Sequence, residues 1–195
     1  MILLKDIIEE KTVNINQNYF PWFNLPGEST DDIILDKEDI VTTGITSTTH
    51  FDFLENMINN SLHTIKLSSL LFDDERLADL LIGAAQRLKG GVYVLTSSLN
   101  YKLLDEYNYS KTDTNRHLDV IRKFEGTLVL VKIVPNLHAK FAIFDSQIGI
   151  VGSANLTVNS LHNVPELGVK IKGEQLKSIE TLFDILWYQY SEKNS

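Results

Sequence analysis

The sequence predicts an α/β protein in which a mixed β-sheet carries helices on both faces. Three observations support that class: a strand, helix and strand in succession between residues 64 and 98, a series of short apolar runs between 127 and 171, and a closing stretch with helical spacing. A strand that returns through a helix to a second strand is the unit of a parallel sheet covered by helices. Short apolar runs separated by turn residues read as further strands.

Residues 1–50 hold nine acids against three lysines and show no sustained period, so they are expected to form an irregular acidic N-terminal arm packed on a body of residues 51–195. Tyr19, Phe20, Trp22 and Phe23 would anchor that arm, and the run ESTDDIILDKED would be a solvated surface. Phe53, Leu54, Met57 and Ile58 have helical spacing and are followed by the breaking pair Asn59–Asn60 and a strand, TIKLSSLL. A helix then starts at Asp73 or Asp74, either of which can accept hydrogen bonds from the first turn's free amides. Its apolar stripe is Leu77, Leu80, Leu81, Ala84, Ala85 and Leu88, it ends at Gly90–Gly91, and the strand VYVLTSS follows. Residues 114–124 are expected to form a helix with Leu118, Ile121 and Phe124 inward. TLVLVKIV, FAIF, IGIV and ELGVKI supply further strands, and GEQLKSIETLFDILWYQY closes the chain as a helix.

With 195 residues, 43% hydrophobic and 23% charged, the chain has material for one substantial core. It has no cysteine, which excludes disulfides, a thiolate nucleophile and cysteine-ligated metal, and which is compatible with a reducing compartment. The opening MILLKDIIEEK places acids beside a short apolar run and reads as neither secretion signal nor membrane span, so a cytoplasmic protein without membrane insertion is expected. A net charge of −8 argues against coating nucleic acid by bulk attraction. Residues 111–140 are nevertheless net +3, and Arg116, Arg122 and Lys123 are candidates to meet the phosphates of a nucleic acid, with a solvated helix face as the ordinary alternative.

Residues 138–155 read HAKFAIFDSQIGIVGSAN. On a strand His138 and Lys140 would project together, with Phe141 and Ile143 on the opposite face. Asp145–Ser146–Gln147 suits a turn, and Gly149 would relieve crowding where the chain reverses. If FAIF pairs antiparallel with IGIV, Gly152, Ser153 and Asn155 return beside His138 and Lys140, and Gly152 would let an anion approach the backbone closely. Each residue is ordinary alone; the coincidence of all of them is not.

This pattern of His-x-Lys, four residues, Asp, six residues and Gly-Ser-x-Asn resembles the signature of the phospholipase D-like superfamily, matched here by His138, Lys140, Asp145, Gly152, Ser153 and Asn155. The downstream NVPELGV is similar to a further family element, with Glu166 as the matching acid and Asn163 unassigned. The resemblance extends over residues 51–190 and implies a phospholipase D-like sheet, phosphodiester chemistry through a phosphohistidine, and no metal or other cofactor. It implies that His138 attacks phosphorus, that Lys140 and Asn155 hold the non-bridging oxygens with Ser153 in support, that Glu166 fixes the His138 tautomer, and that Asp145 braces the turn. A second imidazole is needed, yet the signature occurs once, and His50, His63, His117 and His162 read as surface, capping or packing residues. The resemblance implies a homodimer with two His138 rings facing one another across a twofold axis. DNA or another nucleic acid is the expected substrate, and a recruiting protein partner is a further expectation. A phospholipid hydrolase and a catalytically silent interaction module are the alternatives.

Overall fold

The computed structural model describes residues 39–44, 49–97 and 111–189. The aromatic cluster at 19–23 and the acidic run over 28–38 lie outside the described residues. Seven strands form one sheet: β1 (Ile40–Thr43), β2 (Thr64–Ser69), β3 (Gly91–Thr96), β4 (Val129–Ile133), β5 (Phe141–Phe144), β6 (Ile148–Gly152) and β7 (Glu166–Ile171). Helices α1 (His50–Asn60), α2 (Glu75–Arg87), α3 (Lys111–Lys123), α4 (Val158–His162) and α5 (Gly173–Gln189) connect and cover them. The strand order is β1-β7-β6-β5-β2-β3-β4, with β2, β3 and β4 parallel and the remaining neighbours antiparallel.

Local chemistry sets the helix limits. Thr49 and Asp52 form a reciprocal capping box at the start of α1, and Arg87 of α2 donates to the carbonyls of Ile58 and Ser61 at its end. Asp74 caps α2 by accepting from Leu77 N–H at 2.8 Å, which realises one of the two expected starts. Leu77, Leu81 and Ala85 then turn into the core.

Alternation along the central strands divides the core. Ile65, Leu67, Val92, Val94, Ala142 and Phe144 face the layer of α1, α2 and α3, whereas Leu95, Phe141 and Ile143 face α5 through Leu176 and Phe183. Helices thus lie on both faces, as the sequence predicts. Lys66 of β2 ties α5 down through Glu180 at 2.9 Å and Asp184 at 2.7 Å.

Two expectations need correction. Residues 40–43, inside the stretch expected to be irregular, form β1 and pair antiparallel with β7, and His50 already belongs to α1. A four-residue strand is too short to announce a period. In α3, Leu118 is 41% exposed, while His117 and Val120 are buried. The inward stripe runs through 117, 120 and 124 because His117 accepts a hydrogen bond from Phe72 N–H at 3.0 Å beneath the sheet end.

The β5–β6 hairpin turns on Asp145 and Ser146, both at positive φ (55° and 56°), with Gln147 N–H donating to Phe144 O at 3.0 Å. This is the geometry of a two-residue turn whose twist suits a hairpin. Gly149 lies within β6, and its bare backbone serves close packing: a Cβ there would meet Ala142 O at 2.8 Å and Leu176 Cδ1 at 2.9 Å. The Asp145 carboxylate accepts from the backbone N–H groups of Leu62, His63 and Thr64 at 2.8, 2.7 and 2.9 Å. Burial works against ionisation of Asp145, but these donors outweigh it and hold the carboxyl below its ordinary value of 3.8.

Asp145→Ala should therefore cost about 1–3 kcal/mol at neutral pH, measured by denaturant unfolding. The sign follows from the lowered value: the carboxylate's contribution is complete above the ordinary pKa and is lost as pH falls through the folded one. The gap between wild type and variant should close in strong acid; a gap unchanged at pH 2 would contradict this account.

Candidate active site

Strand direction gathers the signature at one edge of the sheet. Because β2, β3 and β4 are parallel, their carboxyl ends share that edge, and β5 starts there with Phe141 opposite Ser68. Register Phe141↔Val151 brings the end of β6 back to it, and Gly152↔Gly168 starts β7 beside it. The expected antiparallel pairing therefore holds, and it brings Lys140, Ser153 and Glu166 together. Ligands in open sheets commonly bind at the carboxyl ends of strands where the direction of connection switches.

His138 and Lys140 precede β5 rather than lying on it. Lys140 Nζ is 2.9 Å from His138 O and 3.3 Å from His138 Nδ1. Burial, and then the neighbouring Lys140 charge, lower the His138 pKa, which keeps the ring neutral and a nitrogen lone pair present at ordinary pH. Burial also lowers the Lys140 pKa, while Glu166 acts in the opposite sense.

The return segment is fixed through β2. Leu156 N–H donates to Leu71 O at 3.1 Å and to Ser69 Oγ at 3.1 Å, Asp73 N–H donates to Leu156 O at 3.0 Å, and Ser69 Oγ lies 3.4 Å from Asn155 Oδ1. Asn155 is thereby held at the rim. Ser153 donates its hydroxyl to Glu166, the hydrogen bond that the structure gives this acid. Gly152 is needed for a reason the sequence did not disclose: a Cβ would lie 2.5 Å from Leu167 O, so its bare backbone admits β7.

An open cleft of about 580 Å³ carries His138, Lys140, Ser153 and Asn155, with an apolar wall of Phe141, Val151, Ile179 and Leu182. A neutral imidazole, an ammonium, a hydroxyl and an amide on one wall can hold a phosphoryl group and offer it a nucleophile. Among the described residues, no three of His, Asp and Glu converge as a metal site would require.

The sequence matches the family described as "Cardiolipin synthase, PLD-like domain" over residues 54–187. The chain belongs to the phospholipase D-like superfamily. It has the superfamily's α/β fold, a mixed sheet flanked by helices. Comparison with curated proteins gave no match. Among solved structures, the chain is similar to Nuc from Salmonella typhimurium, a phospholipase D family member, at 15% identity and TM-score 0.60, covering 80% of this chain and 98% of that one. NucT from Helicobacter pylori is similar at 17% identity and TM-score 0.56, over 71% and 87% of the two chains. Polyphosphate kinase from Porphyromonas gingivalis shares the fold at 12% identity and TM-score 0.56, over 81% of this chain and 27% of that one. No described helix is long and apolar enough to cross a membrane.

The proposed basic contacts fare differently from the signature. Lys123 is paired with Asp79 at 2.8 Å and Glu75 at 3.7 Å, and Arg122 with Asp119 at 3.2 Å. Both sit in the last turn of α3. Arg116, in the middle of the helix, is exposed. His50, read from the sequence as a surface, capping or packing residue, is buried at the start of α1 and lines a small cavity together with Lys140.

Replacing Lys140 with Met should raise the His138 midpoint toward 6.5, because the Coulombic part of the shift goes while burial remains. Imidazole NMR titration would measure it, and an unchanged midpoint would show that Lys140 does not act on the ring.

Proposed function

We propose that the protein is a phosphodiesterase acting through a phosphohistidine on DNA, as an endonuclease whose site two copies share. The observation that carries the reading is the Lys140 ammonium 3.3 Å from His138 Nδ1 in an open cleft that Asn155 and Ser153 also line. An unprotonated His138 nitrogen forms a bond to phosphorus as the P–O bond to the leaving group breaks. Lys140 and Asn155 hold the non-bridging oxygens, where negative charge accumulates, with Ser153 in support and Gly152 letting β7 pack close beside them. The leaving oxygen takes a proton from a second imidazole. Water then attacks phosphorus, that imidazole removes its proton, and the N–P bond breaks. None of these steps calls for a cofactor.

The second imidazole is His138 of another copy. Its docking is supported by apolar surface next to the site: Leu167 and Val169 on β7 are 51% and 46% exposed, on the same sheet face as Val151 and α5. Glu166, between Ser153 and the Lys140 charge, orients the cluster. Arg116 would meet the polynucleotide, a recruiting protein would supplement this limited basic surface, and the setting is the cytoplasm. The apolar wall of Phe141, Val151, Ile179 and Leu182 favours a second reading, a phospholipid diester, which the same assay resolves.

Circular DNA and phospholipid vesicles, each incubated in EDTA, should separate the two: nicked circles support the endonuclease and released headgroup supports the lipid reading. His138→Ala should lower cleavage at least about a thousandfold. After subunit exchange with a fourfold excess of His138→Ala chains, activity per wild-type chain should fall to about one fifth, since mixed dimers lack one imidazole. Undiminished activity per wild-type chain would reject the shared site.

A further inference from the structure

Behind the signature, on the α1 side of the sheet, lies a small cavity of about 30 Å³ bounded by His50, Leu54, Ser68, Lys140, Ile150 and Leu161. Lys140 borders both this cavity and the open cleft. His50 is 4% exposed, and its Nε2 has no hydrogen-bond partner among the described residues. Gly168 leaves room for that nitrogen: a Cβ at 168 would lie 2.8 Å from it.

Thr43 bears on the tautomer of this ring. Its Oγ1 lies 2.7 Å from His50 Nδ1, receives His50 N–H at 3.1 Å and donates to Leu161 O at 3.4 Å. A hydroxyl has one proton and two lone pairs. If that proton lies on Leu161 O, both lone pairs receive N–H groups from His50, Nδ1 carries the ring proton and Nε2 keeps a lone pair; if it lies on Nδ1 instead, Nε2 carries the proton. Burial depresses the ring's pKa to about 4 despite the opposing charge of Glu166, so the ring is neutral. Lys140, which lines the same cavity, carries a donor-only ammonium. A lone pair suits it, and an N–H would oppose it.

We infer that His50 is a positioning residue for Lys140, accepting one of its ammonium N–H groups through a single water held in the cavity. The volume admits one water, which needs at least roughly 10–15 Å³ of this measure. One Lys140 N–H goes to His138 O and a second to this water, which stops the ammonium rotating and aims the third at His138 or at a phosphate oxygen. The inference rests on the reading of Lys140 as a phosphate holder.

Two measurements on the full chain test it. In wild-type protein labelled with [15N]histidine, multiple-bond NMR should show His50 as the Nδ1–H tautomer; an Nε2–H tautomer would overturn the inference. In His50→Phe, which keeps a flat ring but no lone pair, inorganic phosphate should bind on the order of tenfold more weakly, and the Lys140 Nζ titration midpoint should fall. A folded variant with both unchanged would also overturn it. If the variant fails to fold, the wild-type tautomer decides. If wild type binds no inorganic phosphate, the phosphodiesterase reading fails, and the tautomer and Lys140 midpoint still judge the link to His50.

Discussion

The site depends on one register, Phe141 of β5 opposite Val151 of β6. It returns the residues after β6 to the place from which β5 departed, so that a stretch of sequence closes on itself at a single edge. The far end is held by Asp145, whose carboxylate gathers three backbone donors from the end of the α1–β2 connection and the first residue of β2. A slip of one residue would send every side chain of the strand to the other face and part His138 from Ser153. The acid of the signature is thus a fastener placed at the opposite edge from the chemistry.

A second constraint is the join between parallel and antiparallel halves. β2 pairs with β3 on one side and with β5 on the other, and its final serines reach across to the site segments. Ser68 Oγ donates to Ala139 O at 3.0 Å, and Ser69 Oγ receives Leu156 N–H. Side chains at the end of one strand thereby grip both halves of the signature. The β1–α1 unit adds an inner layer through Thr43 and His50, so part of the wall behind Lys140 comes from outside the span that carries the motif.

Much of this was legible because it is local. Strand periods, the Asp74 cap and the spacing from His138 to Asn155 are written in contiguous residues, and antiparallel neighbours joined by a short turn have few alternatives. What escaped depends on contacts distant in sequence. Leu118 has a side chain suited to the core, yet His117 takes the inward place because Phe72 offers it an amide from 45 positions away. Gly152 suggested an anion, whereas its bare Cα answers to Leu167. Arg122 and Lys123 looked cationic in sequence, and the acids that balance them include Glu75 and Asp79 on another helix. His50 has no motif at all, and a buried ring stacked under a strand glycine cannot be read from spacing.

The glycines at 149, 152 and 168 leave one more consequence. Each sits where any side chain would strike within 3 Å of a neighbouring strand, helix or ring. Heritable variation has no small step available along this floor, since every replacement of glycine adds at least a carbon. Diversification of what the cleft accepts must then fall on the helical bank, above all at Leu182, which lines the cleft and is 40% exposed.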